Sequence, residues 1–142
     1  MPPPRLVTTF DPTPELLAPI RAGLRAFNEA AIGPNPKRFL AVRAESEGTV
    51  VGGAYGWLQI GWLYTEWLWV NEAWRGKALG SALLDELEAQ ARAAGVQRAR
   101  LNTGSFQALG FYQKRGYAIF AELPFNGLDG RTYTDYFLRK DL

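Results

Sequence analysis

Between Trp62 and Ala91 the hydrophobic period of the chain changes abruptly, and a short glycine-bearing turn marks the change. "WLYTEWLWV" reads as a long aromatic strand. Period-two alternation along it would put Glu66 on one face with Trp62, Tyr64, Leu68 and Val70. After Gly80, the residues Leu83, Leu84, Leu87 and Ala91 form a helical stripe, with Glu86 and Glu88 expected outside it and Gly95 as the C-cap. Arg75, Gly76, Lys77, Ala78, Leu79, Gly80 and Ser81 lie between the two. A helix N-terminus offers unpaired N–H groups and a positive dipole end, so it attracts phosphate. Gly76 and Gly80 let backbone approach a ligand closely, and Arg75 and Lys77 add charge. A strand, a turn and a capped helix need no ligand, so this segment alone fits both a phosphate loop and an ordinary connection. It is not a P-loop, because no Lys-Ser/Thr pair follows a final glycine. Ala78, read in right-handed helical geometry, carries no backbone penalty and adds one methyl of bulk beside a bound phosphate.

The flanking sequence alternates helices and strands. Arg5 to Phe10 reads as a first short strand. A helix follows, with Thr13 as N-cap, Pro14 at its first position and an apolar stripe of Leu16, Leu17, Ile20, Leu24 and Phe27. Pro19 should kink or restart it. Phe39 to Ala44 and Val50 to Leu58 read as strands joined by "ESEG". Val96 to Asn102 reads as a strand, Ser105 to Arg115 as a short helix stopped by Gly116, and Tyr117 to Leu123 and Thr132 to Arg139 as two more strands. With no repeat, low-complexity segment or dividing linker, residues 1–142 are expected to form one domain.

Two absences constrain the chemistry. There is no cysteine, which excludes a thiolate metal site and a covalent thioester, and no histidine, which excludes Ser-His-Asp triads and most zinc sites. Proton transfer must use Glu, Asp, Tyr, Lys, Ser or water, and no metal is expected. The formal charge of +2, from 16 basic and 14 acidic residues, is too small to argue for nucleic acid. No apolar run reaches the ~18 residues of a membrane span. Met1 to Pro4 lacks signal-peptide character, so a cytoplasmic location is expected.

A second constellation, "NTGSFQALGFYQKRGYAIF", narrows the reading. Arg75-Gly-Lys-Ala78-Leu-Gly80 together with Ala108-Leu-Gly-Phe111-Tyr112-Gln-Lys-Arg-Gly116-Tyr117 resembles the two signatures of the GNAT superfamily of acyl-CoA-dependent N-acetyltransferases. The resemblance covers nearly the whole chain. It implies a single-domain α/β (α+β) fold with a central mixed, mostly antiparallel twisted sheet flanked by helices. The sheet would splay between the strands ending near Val70 and Asn102. It implies acetyl-CoA as co-substrate, with pyrophosphate on the amides from Gly76 to Ser81 and the pantetheine arm along Leu68, Trp69 and Val70. Asn102 matches a position that contacts that arm, and Tyr112 matches the general acid. Lys114 or Arg115 would reach the phosphates if their helix faces the nucleotide end.

Without cysteine, direct attack in a ternary complex is the expected mechanism, and Val70 N–H could polarise the carbonyl. Glu66 is the candidate base, since a carboxylate in an aromatic strand should have its pKa raised. The acceptor would be a primary amine of a small molecule or peptide. Its site would be shaped by the first helix, Ala31 to Arg38 and Leu123 to Arg131, and lined by Trp57, Trp62 and Trp67. An acyl-CoA-binding module without catalysis is the alternative. A homodimer is left open, and neither nucleic acid nor a membrane is an expected partner.

Overall fold

The computed structural model describes residues 1–142, which form two compact units, Met1–Asn35 and Pro36–Leu142. The first unit carries helix α1 (Pro14–Ile32). Thr13 Oγ1 accepts from Leu16 N–H at 3.2 Å, and Gly33, at φ 81°, ends the helix. The helix runs through Pro19 as one element, where a kink or restart was expected. Arg5 to Phe10, expected as a strand, has no regular structure. A strand exists only through a ladder, and the prolines just before this one remove donors from its entry.

The second unit holds β1 (Arg38–Ser46), β2 (Thr49–Gln59), β3 (Trp62–Val70), α2 (Leu79–Ala93), β4 (Arg98–Gly104), α3 (Leu109–Lys114), β5 (Ala118–Asn126) and β6 (Thr132–Asp141). They build one six-stranded sheet in the order β1-β2-β3-β4-β6-β5. Only β3 and β4 run parallel, because α2 crosses between them. Two-residue turns, Glu47-Gly48 and Ile60-Gly61, close the first two hairpins, with positive φ at all four residues.

The core lies between α2 and one sheet face. Leu84 and Leu87 are fully enclosed by Leu58, Leu63, Leu101 and Leu138, among others. Gly52 of β2 lets the helix come this close, since a Cβ there would stand 3.1 Å from Leu83 Cδ1. Glu88, expected outside the stripe, is inside it and 1% exposed. It shares the helical arc of Leu84, Leu87 and Ala91, and Lys140 of β6 reaches in to pair with it at 2.5 Å. A carboxylate can occupy such a position only with a partner of this kind.

The simple alternation expected for β3 also fails. Tyr55 faces Trp67 while Gly56 faces Thr65, so Glu66 is one residue too many for its partner strand. That bulge reverses the side-chain parity. Leu63 and Thr65 are buried before it, and Leu68 and Val70 pack on the same core after it. Trp62 and Tyr64 therefore face the opposite side from Leu68 and Val70.

Candidate active site

Strands β3 and β4 start as neighbours and then part. Their register pairs Trp62 with Arg98, Leu63 with Ala99 and Tyr64 with Arg100, and no further residues pair although the strands run on to Val70 and Gly104. The inner edge of β3 beyond Glu66 thus has no strand on it. Unpaired backbone along such an edge can hydrogen-bond an extended ligand as a further strand would.

The turn after β3 follows directly on this unpaired edge. Asn71 caps a short 3-10 turn, Glu72–Trp74, by accepting from Ala73 N–H at 3.0 Å. Arg75 Nε then donates back to the Val70 carbonyl at 3.1 Å, fixing the end of the strand to the start of the loop. Lys77 lies over the Trp74 ring, 5.5 Å from its centre. Gly76 and Ala78 both adopt left-handed backbone, at φ 74° and 62°. For Ala78 this corrects the sequence expectation: it sits at the N-cap of α2 outside right-handed geometry, where a Cβ costs about 1–2 kcal/mol. Alternating backbone hand turns successive N–H groups inward, which makes a concavity for anions. Alanine has no side chain to cap α2, and the first intrahelical bond is Ala82 N–H to Ala78 O at 3.1 Å. The N–H groups of Leu79, Gly80 and Ser81, in the first turn, have no carbonyl within the helix four residues back.

Helix α3 is brought to the same place. A Cβ on Gly80 would stand 3.8 Å from the Phe111 ring and 3.7 Å from Val70 Cγ2, so Phe111 packs at the junction of β3 and α2. An Arg115–Asp85 ion pair joins the two helices. This pair engages Arg115, whereas Lys114 is exposed without an ion-pair partner. Gly116, at φ 93°, ends α3, with Tyr117 N–H bonding to the Tyr112 carbonyl at 3.1 Å. Tyr112 stacks edge-on against Phe111 and Tyr117, and burial pushes its phenol pKa up. Its hydroxyl makes no hydrogen bond within the chain.

On the other side of the fork, three strands contribute one polar chain. Tyr64 Oη donates to Asn102 Oδ1 at 2.7 Å, and Asn102 Nδ2 lies 3.3 Å from both Asp135 carboxylate oxygens. Arg100 lies over the Tyr64 ring at 4.7 Å. Burial raises the Tyr64 pKa, Arg100 opposes it, and the Glu66 and Asp135 charges reinforce it. Glu66 is exposed at the bulge and not enclosed by aromatic rings as expected. The tryptophans divide. Trp57 lies tilted against Tyr64, 4.8 Å between ring centres, with Lys37 over it; Arg98 and Arg139 both lie over the Trp62 ring; and Trp67 is 64% exposed.

The structure thus brings Val70, Gly80 of the Arg75–Ser81 turn and the Phe111 ring of α3 together beside the unpaired end of β3, with Glu66 at the bulge of that strand. Sequence reasoning missed Tyr64, Asp135 and Gly56. The alternation of β6 marked Asp135 only as a polar residue in a closing strand.

Residues 6–117 match the acetyltransferase (GNAT) family, and the chain belongs to that family. Among individual proteins, it is 36% identical to the blasticidin-S acetyltransferase of Streptomyces morookaense over 78 residues. That match covers 54% of this chain and 57% of the relative, so it spans little more than half of the relative's length. The crystal structure of a protein from Agrobacterium tumefaciens named a putative acetyltransferase superimposes with a TM-score of 0.87 at 30% identity, covering 97% of this chain and 99% of the other. The PaiA N-acetyltransferase of Thermoplasma acidophilum, solved with coenzyme A, shares the fold at 18% identity and a TM-score of 0.60, over 86% of this chain and 70% of its own.

Proposed function

We propose that this chain is one GNAT domain that transfers an acetyl group from acetyl-CoA to a primary amine of a small molecule or peptide, in the cytoplasm, by direct attack in a ternary complex. The observation that carries this reading is the fork between β3 and β4, which opens toward the uncapped N-terminus of α2. The residues present fit the cofactor. A phosphate-sized anion suits the inward N–H groups from Gly76 to Ser81, with charge from Arg75, Lys77 and Lys114. An extended amide-bearing arm suits the free edge at Leu68, Trp69 and Val70, with Asn102 across the fork.

Bound there, acetyl-CoA supplies an activated acetyl thioester. The amine nitrogen forms the new C–N bond as the C–S bond breaks, and the sulfur leaves with its electron pair. Tyr112 donates a proton to that sulfur, and Glu66 accepts, directly or through one water, the proton the amine must lose. A solution amine with a pKa near ~10.4 is mostly protonated at neutral pH, so the base is needed. An N–H near Val70 polarises the carbonyl. The decisive experiment presents acetyl-CoA and a panel of amines to the protein and follows release of free thiol. No release above the amine-free rate for any acceptor, with CoA still bound, would leave a binding module in place of an enzyme.

A further inference from the structure

Each of the two units leaves an apolar surface uncovered. In the first, no residue of α1 is buried, and its stripe of Leu16, Ile20, Leu24 and Phe27 is exposed by 46% at the least and 76% at the most. Pro19 and Gly23, the two poorest helix formers, lie inside this helix. Helices in proteins owe most of their stability to packing of the apolar face, so α1 needs a surface to lie on.

In the second unit, α2 covers one face of the sheet. The other face carries a run of rings across three strands. Phe39 of β1 lies opposite Trp57 of β2, Tyr55 of β2 opposite Trp67 of β3, and Trp57 opposite Tyr64. Their ring centres are 4.8 to 6.5 Å from one neighbour to the next. Tyr55 and Trp57 alternate with Ala54 and Leu58 of the core, which puts the rings on the face turned away from α2. Phe39 and Trp67 remain 60% and 64% exposed. A contiguous aromatic patch of this kind marks an interaction surface.

The link between the units decides what covers it. Gly33-Pro34-Asn35-Pro36-Lys37 joins α1 to β1. Its prolines fix φ and bias the residue before each of them away from helical turns, which makes a stiff spacer of roughly 16 Å. Lys37, over the Trp57 ring at 4.1 Å, anchors the far end. Such a spacer resists the reversal by which α1 would lie back on the sheet it leads into. A second copy offers the same face without that reversal, and exchange of an element between identical chains is a low-cost route to a dimer. We infer that two copies of this chain associate by reciprocal exchange of α1, the stripe of each helix lying on the Phe39–Trp67 aromatic face of the other. The helix is about 28 Å long and ~10 Å wide, so a reciprocal pair removes roughly 1,200 Å² from water, the lower end for a stable interface. Glu66 adjoins Trp67 on β3, so the exchanged helix would also border the acceptor. That consequence rests on the acetyltransferase reading, whereas the association does not.

Sedimentation velocity of the full chain over a range of concentrations is the test. The wild type should be a dimer. Leu24→Glu with Phe27→Glu on the stripe, and separately Trp67→Glu on the rings, should each weaken association about tenfold or more. All three side chains are exposed in the single chain, so the sheet should fold in both variants, which a cooperative melt verifies. An equimolar mixture of the two variants retains one sound helix and one sound face, and should form a heterodimer of intermediate affinity. Leu128→Glu, on an exposed turn outside both surfaces, should leave the dimer intact. A monomeric wild type, a dimer insensitive to either variant, or a mixture no tighter than its components overturns the inference. In the first case, slow amide exchange in α1 would mean that the helix doubles back on its own sheet.

Discussion

Gly56 lies directly against Tyr64: a Cβ added to this glycine would collide with the Tyr64 carbonyl oxygen. The bulge at Glu66 depends on that approach, because two β3 residues must crowd one position of β2. Gly56→Ala should therefore cost about 3 kcal/mol or more, at the upper end for overpacking. Chemical denaturation gives the stability. CoA titration of the folded fraction should show weakened binding, since the edge of β3 beyond the bulge shifts. Unchanged stability would mean that the bulge adapts easily and does not set the site.

Ala78→Gly should stabilise the protein by up to about 1 kcal/mol. The left-handed penalty is relieved, while the greater freedom of glycine in the unfolded chain offsets part of it. CoA affinity should hold or improve. Ala78→Leu should keep the backbone cost and add bulk where phosphate binds, weakening CoA strongly. Thermal melts and calorimetry on both variants separate the two effects, and a Leu variant that binds like the parent would reduce the loop to a turn.

Arg75→Ala removes a charge and also the bond to the Val70 carbonyl. CoA affinity should fall and its dependence on salt should flatten, with turnover at saturation little changed. A large loss of kcat at unaltered affinity would contradict a binding role.

Tyr112→Phe keeps the ring contacts with Phe111 and Tyr117 and removes the donor. Turnover should fall by about 10²–10⁴-fold while CoA binds as before. Glu66→Gln should lower turnover most near neutral pH and recover partly at alkaline pH, where more amine is already unprotonated. If both retain full activity, water carries both protons.

Tyr117 gives a pH dependence of stability. Burial first, and then the neighbouring Glu88 charge, push its phenol well above the ordinary 10.0. Its hydroxyl is buried without a well-formed hydrogen bond. Above pH 10 the unfolded chain releases a proton that the folded one retains, so this contribution is complete below that pH and declines above it. The slope approaches ~1.4 kcal/mol per pH unit for one group. Tyr117→Phe should flatten the alkaline decline and change little at pH 7. Denaturation midpoints between pH 8 and 11 measure both, and an equal slope in the variant assigns the decline to other groups.

The order of elements from Phe39 onward, and the glycine-bearing turn between β3 and α2, were legible because they are written locally, in hydrophobic period, capping residues and the pairing of Arg75–Gly80 with Phe111-Tyr112. What was not legible depends on residues far apart. The bulge at Glu66 is imposed by a glycine ten positions earlier on the neighbouring strand, so alternation read along β3 alone gives the wrong face beyond it. Glu88 reads as a surface carboxylate until Lys140, from the end of the chain, is brought beside it. Asp135 acquires meaning only when Asn102 and Tyr64 join it across three strands. Ala78 misled for another reason, since a helix N-cap leaves a left-handed conformation open that composition cannot disclose.

The three paired positions between β3 and β4 are the whole seam between the two halves of the sheet, β1-β2-β3 and β4-β6-β5. An arm bonded along the free edge of β3 would act as a strut across the open part of that seam. Heat resistance of the protein should then follow the supply of its own co-substrate, rising by RT ln(1 + [L]/Kd). Amide exchange should slow first at Leu68 to Val70 and along β4. Depletion of the acetyl donor would thus slow the reaction and also loosen the protein that carries it out.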